Sequence, residues 1–182
     1  LREVLENALV ASYKRYLQGD TYAYLSPVFA RVTGYTPAEM MALATEKVVE
    51  LIHPDDRAEI ERVIARSMAG PAGTAYQVDY RFRHKDGHYR WMHDKFVLVH
   101  DGQGRPTARI GSVSDITERK QAEVALRDSE EKYRAIFNNE RYGIGIYDPT
   151  IPQVLDVNEA FVRMYGYSRA ELLSGEVDLY HL

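Results

Sequence analysis

The clearest periodic signal lies in residues 74–84, where Tyr76, Val78, Tyr80 and Phe82 alternate with Gln77, Asp79, Arg81 and Arg83. A period of two is that of a strand with one buried face. Asp86-Gly87 follows as a hairpin signal. Residues 88–100 form the partner strand, Asp101-Gly102-Gln103-Gly104 the next turn and residues 106–114 the last strand. Two shorter strands, rich in Tyr and Val, are predicted within residues 8–25, around a turn at Leu17-Gln18-Gly19-Asp20. Between the two strand groups the period becomes helical. Ile60, Val63, Ile64, Ser67 and Met68 share one stripe of a helix that His53-Pro54-Asp55-Asp56 opens and Gly70-Pro71 ends. Shorter helices are expected over residues 1–7, with Val4 and Leu5 as apolar contacts, from Pro27 to Gly34, and from Thr36-Pro37, where Glu39 completes a capping box with Thr36. This order predicts an α+β domain, a five-stranded antiparallel sheet with helices on one face.

The hairpin register at Asp86-Gly87 has two solutions. A two-residue loop sets Arg83 opposite Arg90 and Asp79 opposite Asp94, both unfavourable pairs. A three-residue bulged loop avoids them and is mildly favoured.

Residues 25–41 and 157–173 repeat one another. At a constant offset of 132, Phe29 matches Phe161, Arg31 matches Arg163 and Gly34 matches Gly166, and Tyr35, Ala38 and Glu39 match Tyr167, Ala170 and Glu171. The same register pairs Arg2 with Arg134 and Asn7 with Asn139. The predicted organisation is a complete domain over 1–116, a helical linker over 117–132 and the first part of a second domain over 133–182. That second copy stops at position 50 of its unit, which leaves its core incomplete. Gly143-Ile144-Gly145 fits the relief of a strand start.

Stretch 117–139 has neither Gly nor Pro and is expected to be a stiff helix, with Asp115 or Thr117 as its cap. A seam at 119, 122, 126, 129, 133 and 136 is a poor coiled-coil pattern that still allows pairing with a second copy. A fresh helix capped by Asp128-Ser129 is the alternative.

Composition narrows the chemistry. Hydrophobic residues make up 45% and charged residues 27% of 182, and the net charge is -4, so nothing favours nucleic acid. There is no cysteine, which excludes disulfides, thiolate metal sites and cysteine nucleophiles. No apolar run is long enough to span a membrane, so a cytoplasmic segment without membrane contact is expected. The chain opens Leu1-Arg2 without Met, which suggests a piece of a longer protein. His84, His88, His93 and His100 cluster on one hairpin, but a metal site needs them on one face, and solvated strand ends are their ordinary role. No nucleophile–base pair, phosphate loop, phosphoacceptor helix or Gly-Gly-Asp/Glu-Glu-Phe motif is present, so no enzyme activity is assigned to this stretch.

Four blocks in order carry a family resemblance: Phe29-Ala30-Arg31-Val32-Thr33-Gly34-Tyr35, His53-Pro54-Asp55-Asp56, Lys85-Asp86-Gly87-His88-Tyr89-Arg90-Trp91 and Asp115-Ile116-Thr117-Glu118-Arg119-Lys120. The pattern resembles the PAS family with its C-terminal PAC motif, of the tandem bacterial signalling type. The resemblance implies a sensor placed upstream of an output domain, a histidine kinase or a diguanylate cyclase. It also implies that Trp91, Asp115, Ile116 and Thr117 couple the sheet to the outgoing helix. Cysteine-based flavin photochemistry is excluded. Non-covalent flavin stays open on the aromatic content, although Trp91 and the tyrosines ordinarily pack. Haem is disfavoured because residues 55–69 contain no His. A small-molecule pocket between the long helix and the sheet is expected to be lined by Tyr13, Phe29, Val32, Ile64, Val78 and Tyr80. No Arg or Lys is placed on those faces, so the sequence makes no argument for a carboxylate ligand. The expected partner is a second copy, paired through the N-terminal and linker helices. The competing expectation is a ligand-free module that dimerises and only sets linker geometry.

Overall fold

The computed structural model describes residues 10–148, 150, 153–175 and 177. The helix expected over residues 1–7 lies outside them. The chain divides into two units between Gln121 and Ala122.

In the first unit, β1 (Val10–Tyr16) and β2 (Thr21–Leu25) precede four helices. These are α1 (Phe29–Thr33), α2 (Pro37–Ala42), α3 (Thr45–Glu50) and α4 (Pro54–Ala69). Then come β3 (Ala75–Arg83), β4 (Tyr89–His100) and β5 (Pro106–Asp115). The strands form one antiparallel sheet in the order β2-β1-β5-β4-β3, so the last strand closes the sheet against the first. Helix α3 has no counterpart in the sequence reading, because its Thr-Glu-Lys-Val-Val-Glu offers too short a stripe and only Val48 is buried. Helix α1 starts at Phe29, two residues after Pro27.

Local chemistry explains the punctuation. Thr36 and Glu39 form the reciprocal capping box of α2. The imidazole of His53 accepts the Asp55 N–H at the start of α4. Asp56 does more than complement the dipole: its carboxylate accepts the Arg81 backbone N–H at 2.8 Å and the guanidinium at 2.8 and 2.9 Å. Those bonds tie the start of α4 to β3 and hold the Asp56 carboxyl below its ordinary range. Gly34 ends α1 at φ 77°, and a side chain there would strike the His84 ring at 2.6 Å.

The β3–β4 register is that of the bulged loop. Arg83 lies opposite Tyr89 and Asp79 opposite His93, while Gly87 takes φ 93°. His93 and Asp79 then meet at 2.7 Å where the other register would oppose two carboxylates. The core gathers on the alternating residues, with Phe96, Met92, Met40 and Val32 almost wholly buried. Of the α4 stripe, Val63 and Ser67 are buried and Met68 is half-exposed.

Helix α5 (Thr117–Asn139) runs without a break through Asp128-Ser129, so the fresh-helix alternative does not hold. Beyond it stand β6 (Gly145–Asp148), β7 (Gln153–Val157), α6 (Glu159–Tyr165) and α7 (Arg169–Ser174). This second unit reproduces the first position by position. The pairs Gly145–Val157, Ile146–Asp156, Tyr147–Val154 and Asp148–Gln153 copy Tyr13–Leu25, Lys14–Tyr24, Arg15–Tyr22 and Tyr16–Thr21, bulge included. Gly166 repeats the left-handed stop of Gly34 at φ 77°. Ser168 and Glu171 repeat the capping box. Buried Leu172 stands for Met40. Gly143 and Gly145 leave room for Phe161, whose atoms would lie 3.1 and 3.2 Å from added side chains.

Candidate functional site

Because β5 lies between β1 and β4, cross-strand neighbours form rows over the concave face. One row is Val78, Asp94, Val113 and Ala11; the next is Tyr76, Phe96, Gly111, Tyr13 and Leu25; the next is Leu98, Arg109 and Arg15 with Tyr22. Three charged residues, Asp94, Arg109 and Arg15, thus stand on the face that carries the core. Gly111 makes the arrangement fit: a Cβ there would lie 2.8 Å from the Lys95 carbonyl oxygen, the Phe96 Cβ and the Tyr13 ring. Across this notch Tyr13 reaches Asp94, and its hydroxyl donates to both carboxylate oxygens at 2.9 and 3.0 Å.

Beneath the helices these rows bound a cavity of about 170 Å³. Five of the six sequence-predicted residues line it: Tyr13, Phe29, Ile64, Val78 and Tyr80. Val32 does not; it packs in the core at 2% exposure. Arg15 and Arg109, which the sequence reading left unplaced, both line it, together with Asp94. Arg15 is satisfied by Asp20 at 2.6 Å and lies over the Tyr22 ring. Arg109 lies over the rings of Tyr13 and Phe96, 5.5 and 5.0 Å from their centres, and its Nε is buried without a hydrogen-bond partner. Burial pushes the Asp94 carboxyl up to about 6, against the opposing pull of Arg109 and the Tyr13 hydroxyl. Burial likewise raises Tyr13, Tyr22 and Tyr80, and Asp94 adds to the rise, so the three phenols stay neutral.

Asp94 and Arg109 were legible in principle. Asp94 is in phase with Met92, Phe96 and Leu98, and Arg109 with Gly111 and Val113; a charge at an apolar phase is the signal. The cavity is of the scale that holds one benzene ring, for which about 150 Å³ suffices. A three-ring flavin and a haem are both larger, and none of the lining residues is a histidine. Among the described residues no three His, Asp or Glu side chains gather as a metal site.

The exit from the sheet is a closed set of hydrogen bonds. Trp91 donates its backbone N–H to the Thr117 hydroxyl at 2.9 Å, and Ile116 donates to the Trp91 carbonyl at 2.8 Å. Thr117 N–H donates to Asp115 Oδ1 at 2.8 Å, and Asp115 Oδ2 faces Arg90 at 3.6 Å. One helical turn on, Lys120 lies over the Trp91 ring and 3.1 Å from Asp79. All four residues of the expected coupling set therefore meet where β4, β5 and α5 join.

The comparisons with known proteins agree with this geometry. The chain belongs to the PAS family: a PAS-fold model matches residues 22–113 and a PAS-domain model residues 131–181. It is 28% identical over 181 residues to the two-component sensor PprA of Pseudomonas aeruginosa, covering 98% of this chain and 19% of that protein. A solved sensory box histidine kinase/response regulator from Burkholderia thailandensis is 30% identical, with a TM-score of 0.61 over 74% of this chain and 97% of that one. The N-terminal domain of a diguanylate cyclase with PAS/PAC sensor from Marinobacter aquaeolei is 26% identical, with a TM-score of 0.53 over 61% and 98%. The chain spans 11% to 25% of the length of the curated relatives it matches. It is a sensor module of signal transduction. Among the described residues no helix is long and apolar enough to cross a membrane.

Proposed function

We propose that the first unit is a cytoplasmic sensor whose cavity takes a small ligand and whose exit step transmits the change to a following output domain, a histidine kinase or a diguanylate cyclase. In this reading residues 1–116 sense, 117–132 relay and 133–182 begin the next PAS unit. The observation that carries it is the Trp91–Thr117–Asp115 bonding. The backbone N–H of a cavity-sheet strand ends on the first side chain of the outgoing helix, so a shift of β4 must lengthen that bond or move the helix.

Trp91 is the sole tryptophan of the chain and reports on the step directly. A small molecule that raises the melting temperature of the chain is expected to shift Trp91 emission. Thr117→Val keeps the thermal stabilisation and loses most of the emission shift. A bound ligand that leaves Trp91 emission unmoved overturns the relay. A natively purified chain that carries no small molecule, and that no member of a metabolite library stabilises, overturns the ligand reading.

One observation favours the second reading, a dimerising module. Leu126, Tyr133 and Ile136 of α5 are 63%, 44% and 66% exposed and fall on the expected seam, a pattern suited to a second copy. Light scattering on a sizing column is expected to show a dimer that Leu126→Glu with Ile136→Glu converts to monomer; an unchanged mass in that variant removes the seam from the interface.

A further inference from the structure

The cavity holds one charge that the fold leaves unanswered. Arg15 and Arg109 are cross-strand neighbours on the same face, yet they are treated differently. Arg15 is closed off by Asp20 through its Nε and Nη2. Among the described residues the Arg109 guanidinium makes no hydrogen bond or ion pair; it lies between aromatic rings with a shielded, unpartnered Nε. Asp94, whose charge attracts it, is instead bonded by the Tyr13 hydroxyl. A shielded cation without a partner is unfavourable, and a guanidinium presents parallel N–H donors matched to a carboxylate.

We propose, resting on the ligand-site reading above, that the cavity binds a small monocarboxylate whose apolar body is no larger than one aromatic ring, with its carboxylate on Arg109, and that Asp94 takes up a proton as the ligand enters. The volume sets the size limit. Phe29, Tyr22, Phe96, Met40 and Met92 line the space and supply faces and sulfur contacts for an apolar or aromatic body.

Electrostatics demands the proton. Arg109 acts on Asp94 from across the intervening Phe96–Gly111 row. A ligand carboxylate on that guanidinium brings a second anion into the same poorly solvated space, where keeping both ionised is unfavourable, and Asp94 is already weakened as an anion by burial. Of the two cavity-lining carboxylates, Asp20 is paired with Arg15 at 2.6 Å, whereas among the described residues Asp94 has no cation at bonding distance. Tyr13 from β1, Tyr22 from β2 and Tyr80 from β3 are neutral phenols, Arg109 from β5 is permanently charged, and Arg15 is engaged with Asp20. His93, next to Asp94 in β4, bonds Asp79. The helices contribute no titratable side chain to the lining. Protonated Asp94 becomes a donor and no longer competes for Arg109.

The test is calorimetric titration of the 182-residue chain with benzoate and, as the uncharged probe, benzyl alcohol. It is run between pH 5.5 and 8 in buffers of different ionisation heat. Benzoate is expected to bind at least tenfold more tightly than benzyl alcohol, with proton uptake and with affinity falling as pH rises. Arg109→Gln weakens benzoate at least tenfold and leaves benzyl alcohol little changed; Arg109→Lys restores part of the loss. Asp94→Asn binds benzoate without proton uptake and with a flat pH profile. Equal affinity for the two probes, or benzoate binding indifferent to Arg109→Gln, overturns the carboxylate assignment and leaves the ligand site standing. Binding of neither probe also overturns the assignment, while the library result described above decides the ligand site itself. Benzoate binding without proton uptake overturns the role of Asp94.

Discussion

Replacing Asp94 with asparagine is expected to stabilise the first unit at pH 7.5 by on the order of 2 to 3 kcal/mol. Burial lifts this carboxyl from its ordinary 3.8 to about 6 in the folded chain. A folded-state value above the unfolded one means that the charged form opposes folding. The penalty is absent below about pH 3.8, grows between 3.8 and 6, and is complete above 6. The native protein should therefore lose stability as pH rises through that window, and the asparagine variant should not. The attraction of Arg109 is already contained in the raised value, so the gain is net of the ion attraction forfeited. Asparagine keeps an oxygen for the Tyr13 hydroxyl and the volume of the site. Urea unfolding followed by Trp91 emission at pH 4, 5, 6 and 7.5 measures it. If the variant is instead less stable than the native chain by a similar amount at pH 7.5, the Arg109–Asp94 attraction outweighs burial. Charge retained on a core face at a stability cost is the expected signature of a site kept for binding.

What the chain displayed in one dimension depended on the range of the forces involved. The sheet was readable because alternation in residues 75–83 and 89–100 is set by a local rule, which side of a strand meets water. The second unit was readable because a repeat carries its packing with it: Gly34 and Gly166 stop their helices by the same left-handed turn, and Thr36 and Ser168 cap theirs by the same box. Even the hairpin register yielded to charge pairing, since Asp79 opposite His93 is better than Asp79 opposite Asp94. Helix α3 escaped because its six residues bury one valine, and no local pattern marks so small a face.

The cavity was half legible. Tyr13, Phe29, Ile64, Val78 and Tyr80 follow from knowing which faces turn inward. Val32 follows the same rule and misses the cavity, because direction along a five-residue helix decides which core neighbour it meets. That Asp94 and Arg109 face inward is readable from their phase, but that they share one cavity depends on something longer in range: β5 inserts between β1 and β4, and that order brings Tyr13, Gly111 and Phe96 into one row. The notch at Gly111 acquires meaning when a ring from another strand lies across it.

Asn158→Ala is expected to unfold the second unit while leaving the first intact. Asn158 is fully buried and its side chain is satisfied on both ends. Its Oδ1 accepts the N–H groups of Ile144 and Phe161 at 2.9 and 2.8 Å, and its Nδ2 donates to the carbonyls of Phe137 and Tyr142 at 2.9 Å. One residue thus joins the end of α5, the approach to β6 and the first turn of α6. In the first unit the matching position is Ser26, whose hydroxyl accepts the Ser12 N–H at 3.0 Å. The longer amide does more where, among the described residues, the buried apolar cluster is as small as Val154, Val157 and Leu172. Alanine strands two donors and two acceptors; the buried Phe137 carbonyl costs about 1 to 3 kcal/mol and the three part-buried groups less each. The sum exceeds what so small a core can offset. Hydrogen exchange read by mass spectrometry should show protection lost across 145–157 and kept across 89–115. Asn158→Ser, which borrows the first unit's solution, should fall between the two, because one hydroxyl replaces the strand contact but not both carbonyl bonds. Unchanged protection of 145–157 in the alanine variant would mean that the amide is not what closes the second unit.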